Sequence, residues 1–154
     1  MLRRLVQALL AAAATGAFAQ ERDGVQVWLN PGMFSYHFRE GDYREDNYGL
    51  GAEVILAPAH GLVAGNFINS NRERSHYAGF HWRPLQWQPA GVEVRTGLIF
   101  VLIDGYSNTN HGDWFPAVFP TLSVEHRVLG ANLIFLPGSR NGAALALQLK
   151  LRVW

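Results

Sequence analysis

The sequence predicts an all-β chain, an eight-stranded antiparallel up-and-down transmembrane β-barrel, and three observations carry that expectation. Residues 144–153 alternate without a break, with Leu145, Leu147, Leu149, Leu151 and Val153 set against Ala144, Ala146, Gln148, Lys150 and Arg152. Successive side chains of a strand point to opposite faces. The segment therefore has an aliphatic side suited to lipid and a side that turns from small to charged, suited to a lumen. At the other end, Arg3 and Arg4, an apolar run over 5–14 and the small-residue site Ala17-Phe18-Ala19 form the three parts of a secretion signal. Beyond that signal no stretch approaches the roughly 18 uninterrupted apolar residues of a membrane helix. Lipid offers no partner to an open strand edge, so a membrane location requires a closed barrel.

The expected organisation is a signal peptide over 1–19 and one barrel domain over 20–154, of about 135 residues. A retained anchor helix is disfavoured, because the apolar run is too short to span. With the signal removed, 11 of the 13 basic residues remain against 12 acidic ones. That balance argues against a general nucleic-acid binder. The absence of cysteine removes disulfides and thiolate metal sites.

Turn residues divide the mature chain into strands expected at 31–39, 47–57, 62–69, 75–82, 91–103, 116–125, 127–136 and 143–153. The intervening segments are mostly rich in Gly, Pro, Asn or Asp. Eight is the smallest common strand number for such a barrel, and several segments reach the roughly 9 to 11 residues needed to cross.

Alternation then assigns faces. Phe34, Tyr36 and Phe38 outside put Ser35 and His37 inside; Leu50, Ala52, Val54 and Leu56 outside put Gly49, Gly51, Glu53 and Ile55 inside. With both termini in the periplasm, the inward charges Glu53, Glu93, Arg95, Glu125, Lys150 and Arg152 fall toward the periplasmic end. Toward the outer end the inward set is Gly49, Gly51, Ile99, Val101, Ala144 and Ala146. The expectation is a barrel plugged below by paired charges, with an apolar slot above that suits a hydrocarbon chain. The alternative is that larger neighbours fill that space.

His37 ends the first rising strand and Asn69-Ser70 ends the third, so both lie at the outer rim. With strands about 4.8 Å apart their backbones stand roughly 10 Å from each other, within reach of one substrate. An imidazole that takes a proton near neutral pH and a serine hydroxyl together suit acyl transfer.

The stretch Asn69-Ser70-Asn71-Arg72-Glu73-Arg74-Ser75-His76-Tyr77-Ala78-Gly79-Phe80-His81-Trp82, followed by Arg83-Pro84-Leu85, resembles a segment of the lipid A palmitoyltransferases of the outer membrane, the PagP family. The resemblance continues through Pro116, Pro120, Ser123-Val124, the Leu136-Pro137-Gly138 turn and the final strand. It implies an eight-stranded barrel that holds an acyl chain in its upper half and moves it from a phospholipid to lipid A. It makes Ser70 the functional serine and His37, in Ser35-Tyr36-His37-Phe38, the functional histidine, with Asn69 orienting or stabilising. It also implies lateral gaps beside prolines, for which Pro31, Pro120 and Pro137 are the candidates, although the partner proline of one gap is missing near Tyr48.

Three departures matter. Asn69 stands where the family has an aspartate, and an amide cannot balance charge on an imidazolium. His81 stands where the family has a small residue, which shortens a slot otherwise lined by Gly49, Gly51, Val101, Ala144 and Ala146. The amphipathic helix that precedes the family's barrel has no counterpart over 20–26. Arg39, Arg72 and Arg74, beside the outer loops, suit lipid phosphates as guanidinium forks. Interleaved Glu40, Asp42, Glu45, Asp46 and Glu73 leave open a solvated loop held by its own ion pairs.

Trp28, Trp82, Trp87, Trp114 and Trp154 fall near expected strand ends, where such rings settle at the lipid boundary. His60, His76, His111 and His126 lack the paired spacing of a zinc site and are expected at the surface. The reading is a monomeric outer-membrane acyltransferase with a phospholipid acyl donor and lipid A as partners, needing no cofactor and no metal. The rival is a noncatalytic small outer-membrane barrel with a lipid-binding or structural role.

Overall fold

A computed structural model describes residues 24–139 and 142–154; the expected signal segment lies outside them. Eight antiparallel strands close into a barrel in chain order: β1 (Gln26–His37), β2 (Asp46–Ala57), β3 (His60–Ile68), β4 (Arg74–Trp87), β5 (Glu93–Ile103), β6 (Phe115–His126), β7 (Leu129–Ser139) and β8 (Gly142–Arg152), with β1 pairing back to β8. One end, the floor, carries Gly24, the C-terminus and short turns such as Pro58-Ala59 and Arg127-Val128. The other, the mouth, carries longer loops at 38–45 and 104–114.

The outward faces are apolar on every side, with Phe34, Leu50, Leu62, Phe80, Phe100, Leu122, Leu133 and Leu147 among the exposed large side chains. In water such a surface would drive association, whereas against hydrocarbon it is matched. The alternation expected for β8 is present, with Ala144, Ala146, Gln148 and Lys150 buried inside.

Two strand boundaries differ from the sequence expectation for one reason. Proline is an end signal in the sequence, yet β1 runs through Pro31 and β4 through Pro84. In β1 the pairing steps from Asn30↔Gly51 to Gly32↔Tyr48, a bulge. Gly32 there has φ +98°, and a side chain on it would collide with the Asn47 carbonyl oxygen. In β4 the register shifts between Trp82 and Leu85. A bulge leaves one residue unpaired, which is where a proline without an N–H can sit. The first strand therefore begins at Gln26 instead of 31, and the fourth continues to Trp87 instead of ending at 82.

The bulge in β1 also changes which residues face inward. Below it Trp28 and Asn30 are buried; above it Ser35 is buried and Met33 packs on the interior. Trp28, expected at the lipid boundary, is consequently inside the barrel and 1% exposed. The other four tryptophans are exposed, as expected.

Trp28 packs against a buried charge network that forms the floor. Lys150 Nζ lies 2.6 Å from both Glu53 Oε2 and Glu125 Oε1, and 4.8 Å above the Trp28 ring. Arg83 Nη1 donates to Glu125 Oε1 at 2.7 Å, and His81 joins Glu53 Oε1 at 2.5 Å and Thr121 Oγ1 at 2.9 Å. Above this layer the interior is apolar, built on Val63, Phe67, Ile99, Val101, Ile103, Ile134 and Ala146. The step from charged to apolar along the axis agrees with the sequence expectation; Arg83 joins the floor because β4 extends past Trp82.

Pairing between β6 and β7 runs from His126↔Leu129 to Thr121↔Ile134 and stops there, although both strands continue toward the mouth. Pro120 is the next residue and has no N–H to offer the neighbouring strand. Inward-facing Phe115, Ala117, Phe119 and Leu136 beside this gap are only partly buried, while Ile99, Val101 and Ile103 on the adjacent paired strand are buried.

Removing Lys150 should leave Glu53 and Glu125 as buried carboxylates close to each other without their shared cation. Lys150→Ala is expected to lower the unfolding free energy in detergent by about 3–5 kcal/mol. Urea titration of the folded barrel, monitored by tryptophan fluorescence, measures this.

Candidate functional site at the barrel mouth

The residues expected to react both lie at the mouth. His37 is the last residue of β1 and Ser70 lies just beyond β3, and Ser35 links them. Ser35 lies two positions before His37 on the same inward face, and its Oγ is 3.5 Å from Ser70 Oγ. A two-residue step along a strand is about 6.6 Å, so His37 and Ser70 lie on either side of Ser35, across a space at the rim.

Loop 38–45 folds back across this space. Tyr43 stacks on His37 with ring centroids 4.2 Å apart and planes 16° apart. Gly41 lies on the Tyr43 ring: a side chain there would meet ring carbon Cε2 at 2.5 Å. The loop then pairs with Ser70 itself, through Arg44 N–H donating to Ser70 O at 2.9 Å. His37 Nδ1 is buried and has no hydrogen-bond partner. With no partner at Nδ1, the ring is not held in one tautomer by a protein group there.

Asn69 is placed otherwise than the sequence suggested. It is fully buried, and its polar capacity is spent on its own turn, on Ser75 and on loop 104–114. Its Oδ1 accepts from Asn71 N–H at 2.9 Å and Glu73 N–H at 3.1 Å; its Nδ2 donates to Ser75 Oγ at 3.0 Å and Gly105 O at 2.7 Å. A carboxylate has no proton to give Gly105 O. The amide at this position therefore answers the local hydrogen-bonding requirement of the turn. Asn69 supports Ser70 through the backbone and ties loop 104–114 to the turn.

The residues expected to line the slot face inward, with differing consequences. Val101 and Ala146 belong to the apolar interior and Ala144 is buried. At Gly51 the space of a side chain is taken by Tyr77, whose hydroxyl an added Cβ would strike. At Gly49 an added Cβ would collide with the Asn66 carbonyl oxygen, so that glycine serves the close approach of β3. His81 sits within the charged floor. Phe67, Tyr77 and Phe119 supply more of the upper interior than the expected small residues.

The three arginines are engaged on the rim. Arg72 Nη2 donates to Asp42 Oδ1 at 2.7 Å, joining loop 38–45 to the 69–73 turn, and holds that exposed carboxyl below its usual range. Such an exposed pair adds little stability. Arg74 donates to Asn66 Oδ1 at 3.0 Å, and Arg39 packs beside Gly142. Glu73 is held below the usual carboxylate range by the Ser107 backbone N–H. The salt-bridged loop left open by the sequence thus describes Arg72 and Asp42. Burial pushes the Tyr106 hydroxyl of loop 104–114 up to about 12, so it stays protonated where it covers the interior. His60, His76, His111 and His126 are exposed, and among the described residues no group of three or more His, Cys, Asp or Glu is placed to hold a metal ion.

Sequence reasoning missed Tyr43 and Asn47. Neither carries a periodic signal: one is a loop residue and the other opens β2, and their place beside His37 and Ser35 depends on the path of loop 38–45.

No family model matches the chain. The lipid A acyltransferase PagP of Laribacter hongkongensis is 32% identical over 108 residues, 65% of this chain and 50% of that protein. The chain spans about half the length of the curated relative it matches. This similarity and the closed antiparallel eight-stranded barrel fit a divergent PagP-like member.

Asn69→Asp should destabilise the barrel instead of improving the site, because a carboxylate would face Gly105 O. A loss of about 1–3 kcal/mol is expected, measured by urea unfolding in detergent. Stability equal to or above that of the unaltered protein would contradict this account of Asn69.

Proposed function

We propose that the chain is an outer-membrane acyltransferase that moves a fatty acyl chain from a phospholipid to lipid A. The observation that carries this reading is His37, with its Nδ1 buried and unpartnered, at the same rim as Ser70, which Ser35 contacts, at the mouth of an apolar interior. The similarity to a lipid A acyltransferase supports the reaction class, and the apolar exterior supports insertion in the outer membrane after export.

In this mechanism the acceptor hydroxyl of lipid A gives its proton to His37 as its oxygen attacks the acyl carbonyl. The new ester bond forms, the bond to the glycerol oxygen breaks, and His37 returns the proton to that oxygen. Products are acylated lipid A and a lysophospholipid. Ser70 presents its hydroxyl to the substrate beside the imidazole, and Asn69 acts by holding the turn that carries Ser70. The acyl chain lies in the apolar upper interior above His81. The stretch above Pro120 where β6 and β7 are not paired, which on the β7 side includes Pro137, provides lateral access from the bilayer. Pro31 instead occupies a bulge on whose far side β1–β2 pairing resumes. In this scheme the protein acts as a monomer and uses no cofactor.

A second reading, a noncatalytic lipid-binding or structural barrel, draws support from the full commitment of Asn69 to the turn and from the aromatic side chains in the upper interior.

Expression in a Gram-negative host lacking endogenous lipid A palmitoylation should yield lipid A heavier by one acyl chain, seen by mass spectrometry. His37→Ala should abolish that species, by at least about a hundredfold for loss of a general base, and Ser70→Ala should lower it by roughly fivefold or more, the size of one hydrogen bond. Unchanged lipid A mass with the barrel correctly inserted would favour the noncatalytic reading.

A further inference from the structure

The hydrogen bonds around Ser70 fix more than its position. Asn47, the second residue of β2, is buried, and its Nδ2 lies 2.9 Å from Ile68 O and 3.3 Å from Arg44 O. Carbonyl oxygens only accept, so the amide nitrogen must face them; the reverse orientation would set Oδ1 against two acceptors. Oδ1 therefore faces Ser35 Oγ at 2.6 Å and must accept the Ser35 proton. The other acceptor near that proton, Arg44 O at 3.4 Å, is again a carbonyl. With its proton spent, Ser35 can offer Ser70 only lone pairs. Any hydrogen bond between the two hydroxyls therefore has Ser70 as its donor, across a contact of 3.5 Å at the long limit for such a bond.

From this chain of donors and acceptors we infer that Asn47 and Ser35 are positioning residues that turn the Ser70 proton toward the barrel wall and its lone pairs toward the mouth. The substrate group that meets Ser70 is then a hydrogen-bond donor. An acyl ester carries only acceptors, whereas the acceptor sugar lipid carries hydroxyl and amide N–H groups. Ser70 thus belongs to the side of the site that binds the acyl acceptor, and the phospholipid ester lies on the other side of His37. This assignment rests on the acyl-transfer reading; the direction of the proton does not.

Two measurements separate the claims. In purified protein reconstituted with lipid A and a labelled phospholipid donor, Ser35→Ala should raise the KM for lipid A about fivefold, the size of one neutral hydrogen bond. The KM for the phospholipid should stay unchanged, and Ser35→Thr, which keeps the hydroxyl, should restore the lipid A KM. An effect confined to the phospholipid KM, or none, overturns the assignment of Ser70 to the acceptor side. The second readout needs no turnover. In the Ser70→Cys variant, the pH midpoint of thiol alkylation reports what Ser35 presents to position 70. Lone pairs disfavour a thiolate, so adding Ser35→Ala should lower the midpoint by about half a unit to one unit, and Ser35→Thr should leave it in place. A midpoint that rises or does not move overturns the proton direction. Absence of transfer by the unaltered protein overturns the acyl-transfer reading alone, with the alkylation result still deciding the relay.

Discussion

Lys150 is the cation on which the interior depends. Its ammonium lies between Glu53 on β2 and Glu125 on β6, strands on opposite sides of the barrel, and is itself carried by β8. Three carboxylate and ammonium groups taken out of water would each be costly alone. Together, with Arg83, His81 and the Trp28 ring, they supply one another's counter-charges and hydrogen bonds. The network closes the lower barrel as a polar plug and leaves the upper barrel to apolar side chains. Because hydrocarbon and ions are segregated along the axis, whatever enters the mouth meets an apolar interior ending at a charged floor.

The mouth obeys a different constraint, the need to satisfy buried polar groups in loops. Asn69 and Asn47 do this at neighbouring positions. Asn69 binds its own turn and loop 104–114; Asn47 binds the end of β3 and the return of loop 38–45. Each amide has its orientation forced by carbonyls that cannot donate, and each thereby fixes a neighbour. Asn69 fixes the backbone under Ser70, and Asn47 fixes the proton of Ser35. His37 is held differently, by the flat contact of Tyr43, and keeps a buried nitrogen free of protein partners. The rim thus holds a histidine packed under an aromatic ring and, across Ser35, a serine.

Proline has two uses in this barrel. At Pro31 and Pro84 the strand absorbs it through a register shift and goes on. At Pro120 pairing with β7 ends, and the inward side chains beyond it are less covered. The two outcomes differ in whether the ladder recovers past the proline. β1 regains its partner at Gly32, whose missing side chain allows close approach, while β6 above Pro120 has no such recovery on the β7 side.

Strand number, inward and outward faces and the placement of charges low in the barrel were legible in the sequence, since a period of two is a local property of the chain. So were His37 and Ser70 at one rim, because strand direction alternates. Other features came only with the closed barrel. Trp28 moved from lipid boundary to interior because a bulge at Pro31 reverses the facing parity of β1. Gly51 proved to be the seat of Tyr77 instead of open slot. The demand for an amide at Asn69 comes from Gly105, thirty-six residues away. Side-chain alternation is set between neighbours along the chain, whereas bulges, loop paths and the direction of a hydroxyl proton are set by partners that only closure of the sheet brings together.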